Sequence, residues 1–193
     1  MDHFYNKIPG YFNYQNVYDK VIKESPDNAH FVEIGVWQGK SVCCLAVEII
    51  KSGKTIQVDA IDTFEGSPDE PKIQQDLREL EEKGKTLKEC FLENIEPVKH
   101  IITPIQSDSV IASELYKDNS LDFVFIDGSH IYENVRNDIL AWLPKVRSGG
   151  YIGGHDLDGP EEFNGVRQAV DEIFGAKNIE EFNPNWKSWL TQV

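Results

Sequence analysis

Two short stretches of this 193-residue chain gather the side chains best suited to chemistry. Asp127-Gly128-Ser129-His130 closes the apolar run Phe123–Ile126, and His155-Asp156 closely follows Tyr151-Ile152. Carboxylates and imidazoles exchange protons and hold cations. Between the two stretches, Ile131, Val135 and Ile139 recur at helical spacing and read as plain core. Strand, helix and strand make a βαβ unit with acids and imidazoles at both strand ends. In open α/β sheets the carboxyl ends of strands are where ligands bind. The segment therefore points to an active site as well as to a fold.

Other strand ends are polar too. In Glu33-Ile-Gly35-Val-Trp37-Gln-Gly39-Lys-Ser41, two glycines let the backbone bend and let a ligand approach a helix N-terminus. The spacing is G-x-x-x-G. It lacks the central glycine that admits a pyrophosphate, where Trp37 stands instead, and it is not a P-loop. The ligand this favours is a nucleoside without a pyrophosphate, although a purely structural βα turn would read the same way. Asp62 ends the next strand, at the distance that suits a bidentate hold on ribose hydroxyls; a turn-capping Asp is the alternative. Asp108 ends the third strand, where it could meet an adenine amino group or cap the helix that follows.

These groups need a scaffold, and the pattern supplies one. Asn16–Lys23 reads as a short helix, His30–Val36 as a buried strand, and Ser41 as the N-cap of a helix reaching about Lys51. Thr55–Ile61 and His100–Ile105 are further strands. Residues 66–96 between them are polar and helical, split at Gly84, and read as a solvated excursion or a lid. A helix at Val110–Tyr116, the βαβ unit and a helix at Val166–Phe174 follow. Asn178–Phe182 and Trp186–Gln192 are then joined by a short turn, which implies an antiparallel hairpin. The expected fold is α/β, a doubly wound and mostly parallel seven-stranded sheet in one domain over residues 1–193. Residues 1–28 form an aromatic and helical N-terminal segment that either folds over the ligand through Tyr11 and Tyr14 or packs at the surface. The loop Leu157–Gly165 borders the reacting side.

Composition narrows the partners. Nineteen basic against 33 acidic residues leave a net charge of -14, a field that repels phosphate backbones and argues against nucleic acid. No apolar run approaches the ~18 residues of a membrane helix, and no signal pattern opens the chain. Cys43, Cys44 and Cys90 read as buried free thiols, which suits a reducing cytoplasm.

EIGVWQGKS, IDTFEGSP, FIDGSHIYENVRNDILAWLPKVRSGG and GGHD, in this order, resemble the class I S-adenosylmethionine-dependent methyltransferases. The likeness covers about residues 31–175. It is nearest to the branch with macrolide-sugar O-methyltransferases and cephalosporin-hydroxylase-like proteins. The resemblance implies a Rossmann-like sheet whose last strand is antiparallel, and S-adenosylmethionine as cofactor. Glu33, Gly35 and Gly39 would flank its methionine, Asp62 its ribose, Asp108 its adenine end, and Asp127 its methyl group. It also implies a small hydroxylated acceptor such as a sugar, and it is compatible with a homo-oligomer. In the metal-dependent sugar enzymes of that branch, an Asp after strand four and acids after strand five hold Mg²⁺. A His three residues after the first Asp is the base. Asp127 and His130 match this spacing. At strand five His155-Asp156 replaces an acidic pair, so a metal set of Asp127, His155 and Asp156 would favour Mn²⁺, Fe²⁺ or Zn²⁺ over Mg²⁺. The imidazole leaves other readings open: a local His155–Asp156 pair that shapes the loop, His130 as a helix-start residue, and a cofactor-binding protein without transfer. An NAD-dependent oxidoreductase is opposed by the missing glycine.

Overall fold

The computed structural model describes residues 3–67, 70–158 and 164–193. Seven strands form one sheet: β1 His30–Ile34, β2 Gln57–Asp62, β3 Ile102–Gln106, β4 Leu121–Ile126, β5 Val146–Gly154, β6 Glu180–Phe182 and β7 Ser188–Gln192. Their order is β3-β2-β1-β4-β5-β7-β6. β1 to β5 pair in parallel, and β7 pairs antiparallel with both β5 and β6. Seven mostly parallel strands with an antiparallel C-terminal hairpin are the doubly wound architecture expected. The hairpin also slips β7 between β5 and β6.

β4 is buried along its whole length, as a strand covered on both faces must be. Alternate residues feed two cores. Phe31, Phe123 and Phe125 pack with α1 (Gln15–Glu24), α2 (Lys40–Ser52) and α4 (Leu87–Ile95). Val32, Ile34, Val124 and Ile126 pack with α5 (Ser109–Ser113), α6 (Tyr132–Trp142) and α7 (Asn164–Phe174). The three cysteines are free and buried, in α2 and α4.

Residues 66–96 divide in two. α3 (Pro71–Glu82) buries none of its residues. α4 starts at a Thr86/Glu89 capping box and buries Leu87, Cys90, Phe91 and Ile95. It is the crossover helix that β2 and β3 require, whereas α3 only rests half-buried Leu77 and Leu80 against the core.

Two local expectations need correction. β1 stops at Ile34 because Gly35 takes φ +81, which ends an extended strand. Ser41 does not cap α2. Gly39 holds the N-cap position with φ +89, and Ser41 turns inward instead, to donate to Glu33. Of the Leu157–Gly165 loop, residues 159–163 lie outside the described residues. No helix among the described residues is long and apolar enough to cross a membrane.

Candidate functional site

Strand order reverses at β1, which has β2 on one side and β4 on the other. The crevice this leaves at the carboxyl ends receives the glycine turn and the Asp127 turn together. A Cβ on Gly35 would stand 2.1 Å from the Asp127 carbonyl oxygen, so only glycine lets the two backbones meet. Gly39 lies against the ring of Phe91 and the side chain of Ile95, which seats α2 on α4.

Asp62, at the end of β2, accepts the Trp37 backbone N–H on Oδ2 at 2.9 Å and the Phe64 N–H on Oδ1 at 2.7 Å. Trp37 and Phe64 are both held at positive φ, +47 and +58. The carboxylate thus shapes the glycine turn, and the backbone of Val36 and Thr63 acts on it too. Burial raises its pKa, against the lowering effect of those backbone donors. Glu33 is fully buried behind the turn. It accepts the Ser41 hydroxyl, while its Oε2 and the hydroxyl of buried Tyr18 complete no well-formed hydrogen bond among the described residues, although Tyr18 still acts on its charge. Burial pushes its pKa up to about 8, more than the Ser41 bond lowers it, so at neutral pH it is an uncharged acid. Asp108 remains exposed at the end of β3, and its carboxylate caps α5 by accepting the Ile111 N–H at 3.1 Å.

The ends of β4 and β5 bring Asp127, His130, His155 and Asp156 together. His155 Nδ1 lies 3.1 Å from Asp156 Oδ1 and 3.5 Å from Asp127 Oδ1. His130 Nε2 lies 2.8 Å from Asp156 Oδ2. His130 sits in the loop before α6, and its Nδ1 is 3.4 Å from Glu70 Oε1 at the start of α3. Asp156 is buried and held at φ +57, the left-handed backbone that side chains other than glycine seldom adopt and that gathers at working sites. One ligand atom each from Asp127, His155 and Asp156 falls within 4.8 Å of the others. A void of about 10 Å³, room for one water, is lined by Asp127, His130, His155, Asp156 and Trp189. Trp189 Nε1 is buried there without a partner among the described residues.

The charges in this cluster reinforce one another. Burial alone would lower the pKa of His155, but its bonds to Asp127 and Asp156 overcome it and hold the ring at about 10. His130, likewise opposed by burial, is raised to about 9 by Asp156 and Glu70. Burial would raise Asp156, yet the two imidazoles hold it well below the usual carboxylate range.

Three further residues reach this cluster. Tyr14, buried, donates its hydroxyl to Asp127 Oδ2 at 2.6 Å. Asn13 Oδ1 faces His155 Nε2 at 3.0 Å. Glu70 comes from the polar stretch. The aromatic clustering of residues 5–14 was the only sequence signal for Tyr14, and Asn13 and Glu70 carried none. Tyr11, the other aromatic candidate, points outward at 76% exposure.

A model of the methyltransferase domain matches residues 32–157. A curated relative, the uncharacterized protein y4gI of Sinorhizobium fredii (strain NBRC 101917 / NGR234), is 21% identical over 150 residues, 74% of this chain. The chain spans 14% of that protein's length. Among solved structures, the O-methyltransferase NovP superposes with a TM-score of 0.66 at 17% identity, covering 93% of this chain and 78% of its own. Cofactor-bound Rv0187 from MTB gives 0.66 at 14% identity, over 97% and 84%. The calicheamicin methyltransferase CalS11 gives 0.61 at 14%, over 93% and 77%. At these identities the likeness is one of fold. The family match rests on more: its span runs from the third residue of β1 to just past Asp156, so it takes in the glycine turn, Asp62 and both polar strand ends. The chain accordingly belongs to the methyltransferase-domain family, whose cofactor is S-adenosylmethionine.

Proposed function

We propose that this enzyme methylates a hydroxyl of a small acceptor, of the sugar class, in the crevice between β1 and β4. The observation that carries the reading is the convergence of Asp127, His130, His155 and Asp156 beside the glycine turn. CalS11, described as a TDP-rhamnose 3′-O-methyltransferase, lends the acceptor class its support.

S-adenosylmethionine supplies an electrophilic methyl group. Gly35 and Gly39 keep the turn open to its methionine, with Glu33 behind them as an uncharged acid that adds no repulsion. Asp62 offers its carboxylate to the ribose, and Asp108 stands towards the adenine end. Asp127 flanks the position of the methyl group. Asp127, His155 and Asp156 fit a divalent cation: one imidazole and two carboxylates converge beside a small void. Such an ion supplies charge that lowers the pKa of a nearby hydroxyl. His130 is the group placed to take the hydroxyl proton, on Nε2, with Glu70 holding Nδ1. Its present partners keep the ring charged, so it acts as a base only once Asp156 releases Nε2 and that nitrogen gives its proton to solvent. A second reading, cofactor binding without transfer, is favoured by one feature: His155 already lies between two carboxylates and neutralises part of the cluster.

S-adenosylhomocysteine is expected to raise the melting temperature, and Asp62→Ala to weaken that effect at least tenfold in ligand concentration; no shift at millimolar ligand would refute cofactor binding. Activity on hydroxylated acceptors, followed as S-adenosylhomocysteine release, is expected to need Mn²⁺ or a similar ion and to fall at least a hundredfold in Asp127→Asn. Full turnover in excess EDTA would exclude the cation. Cofactor binding with no turnover on any hydroxyl acceptor would favour the second reading.

A further inference from the structure

Asn13 and Tyr14 approach the candidate cation ligands from behind, out of a segment that precedes the sheet. The Asn13 amide has a fixed orientation, because Nδ2 donates to the backbone carbonyls of Asn185 at 3.2 Å and Trp186 at 3.3 Å, which only accept. Oδ1 must therefore be the atom that faces His155 Nε2, at 3.0 Å. An amide oxygen only accepts, so Nε2 carries a proton. Nδ1, on the side of Asp127 and Asp156, is then the nitrogen that a metal can ligate, in exchange for the proton it shares with those carboxylates. Tyr14 acts on the neighbouring ligand. Its ring packs on Phe125 and His155 at centroid distances of 4.7 and 4.8 Å, and its hydroxyl holds Asp127 Oδ2, leaving Oδ1 turned towards His155. The segment is tied down just ahead of this contact. Lys40 Nζ bonds the Gly10 carbonyl at 2.9 Å, and Lys72 meets Tyr11.

We infer that Asn13 and Tyr14 are positioning residues that prepare Asp127, His155 and Asp156 for a divalent cation, Asn13 by fixing the tautomer of His155 and Tyr14 by fixing the carboxylate of Asp127. This rests on the cation site proposed above and adds what that site needs behind it. Ligating imidazoles characteristically donate their other N–H to a fixed acceptor, and loss of such a partner weakens metal affinity by about 10–100-fold. Because one ligand is a nitrogen, Mn²⁺ is held more tightly than Mg²⁺.

The test is Mn²⁺ binding to the full chain, read by calorimetry and by the loss of free-ion electron paramagnetic resonance signal, with no acceptor needed. The wild type is expected to bind Mn²⁺ and Asp127→Asn to bind none. Tyr14→Phe, which keeps the ring, and Asn13→Leu should each bind about 10–100-fold more weakly while their S-adenosylhomocysteine affinity stays within about threefold. In the Zn²⁺-loaded protein, long-range ¹H–¹⁵N spectra should show His155 protonated at Nε2 and ligated at Nδ1. Wild-type binding that is lost in Asp127→Asn but unchanged in both N-terminal variants would overturn the positioning roles and leave the cation site standing. Ligation through Nε2 would overturn the role of Asn13. No Mn²⁺ binding by the wild type would overturn both, and normal S-adenosylhomocysteine binding in that case would leave the methyltransferase reading intact.

Discussion

A fully buried glutamate is an unusual residue to place behind a cofactor turn, and Glu33 shows why it is tolerated. It gives up its charge rather than its burial. The consequence for stability has a definite sign. The folded-state pKa, about 8, is above that of an unfolded glutamate, so the contribution is fully present below about pH 4.5 and is lost as pH rises through 8. Glu33→Gln keeps an acceptor for Ser41 and removes the titration. The variant should gain on the wild type between pH 5 and 8, by at most about 1.4 kcal/mol per pH unit, in denaturant unfolding followed across pH. A constant difference across that range would contradict a neutral Glu33. At this scale much was legible in the chain. Asp127, His130, His155 and Asp156 stood at strand ends, and the strand ends meet. Tyr14 was visible only as one aromatic among several, because its bond to Asp127 spans 113 residues and no local pattern carries it. Ser41 misled for a related reason: a serine at a helix start usually caps, but here a buried acid competes for its hydroxyl.

Elements were read best where hydrophobic period and length agreed. The parallel strands and the C-terminal hairpin were legible for that reason, whereas the place of β7 between β5 and β6 was not, since pairing order leaves no mark on local sequence. The stretch 66–96 was harder, because its polar and apolar helices differ in burial rather than in helical period. α3 meets the core only through half-buried Leu77 and Leu80, and α4 carries Phe91 into it. Local stability should follow burial. In native-state hydrogen exchange, amides of α3 are expected to exchange at least tenfold faster than those of α4, and cofactor analogues to slow α3 more. Equal protection of both helices would show that α3 is anchored by more than its visible contacts. Because Glu70 leads α3 and meets His130, movement of this helix would be felt directly at the proton-accepting residue.

Across the whole molecule, acidity gathers where the chain works. Part of the -14 net charge is compensated locally by two imidazoles set among Asp127, Asp156 and Glu70. Both rings are raised above the ordinary 6.5, His130 to about 9 and His155 to about 10. Their stabilisation is therefore complete below pH 6.5 and lost as pH rises through 9 and 10. Glu33 acts in the same direction. Thermal stability should fall steadily from pH 7 to 10, and His155→Gln should flatten the upper part of that curve; a wild-type melting temperature unchanged between pH 7 and 10 would sink this account.

The Asn13 amide has one more consequence, in time rather than in space. Its partners Asn185 and Trp186 lie 172 and 173 residues further along the chain. On the ribosome Asn13 emerges before these partners and has to wait, its amide satisfied by water, until the turn before β7 is made. The ring of His155 is thus steadied only after the turn before β7 has been made, and a nascent chain carries the whole acidic cluster before it carries the clasp that gives the cluster its geometry.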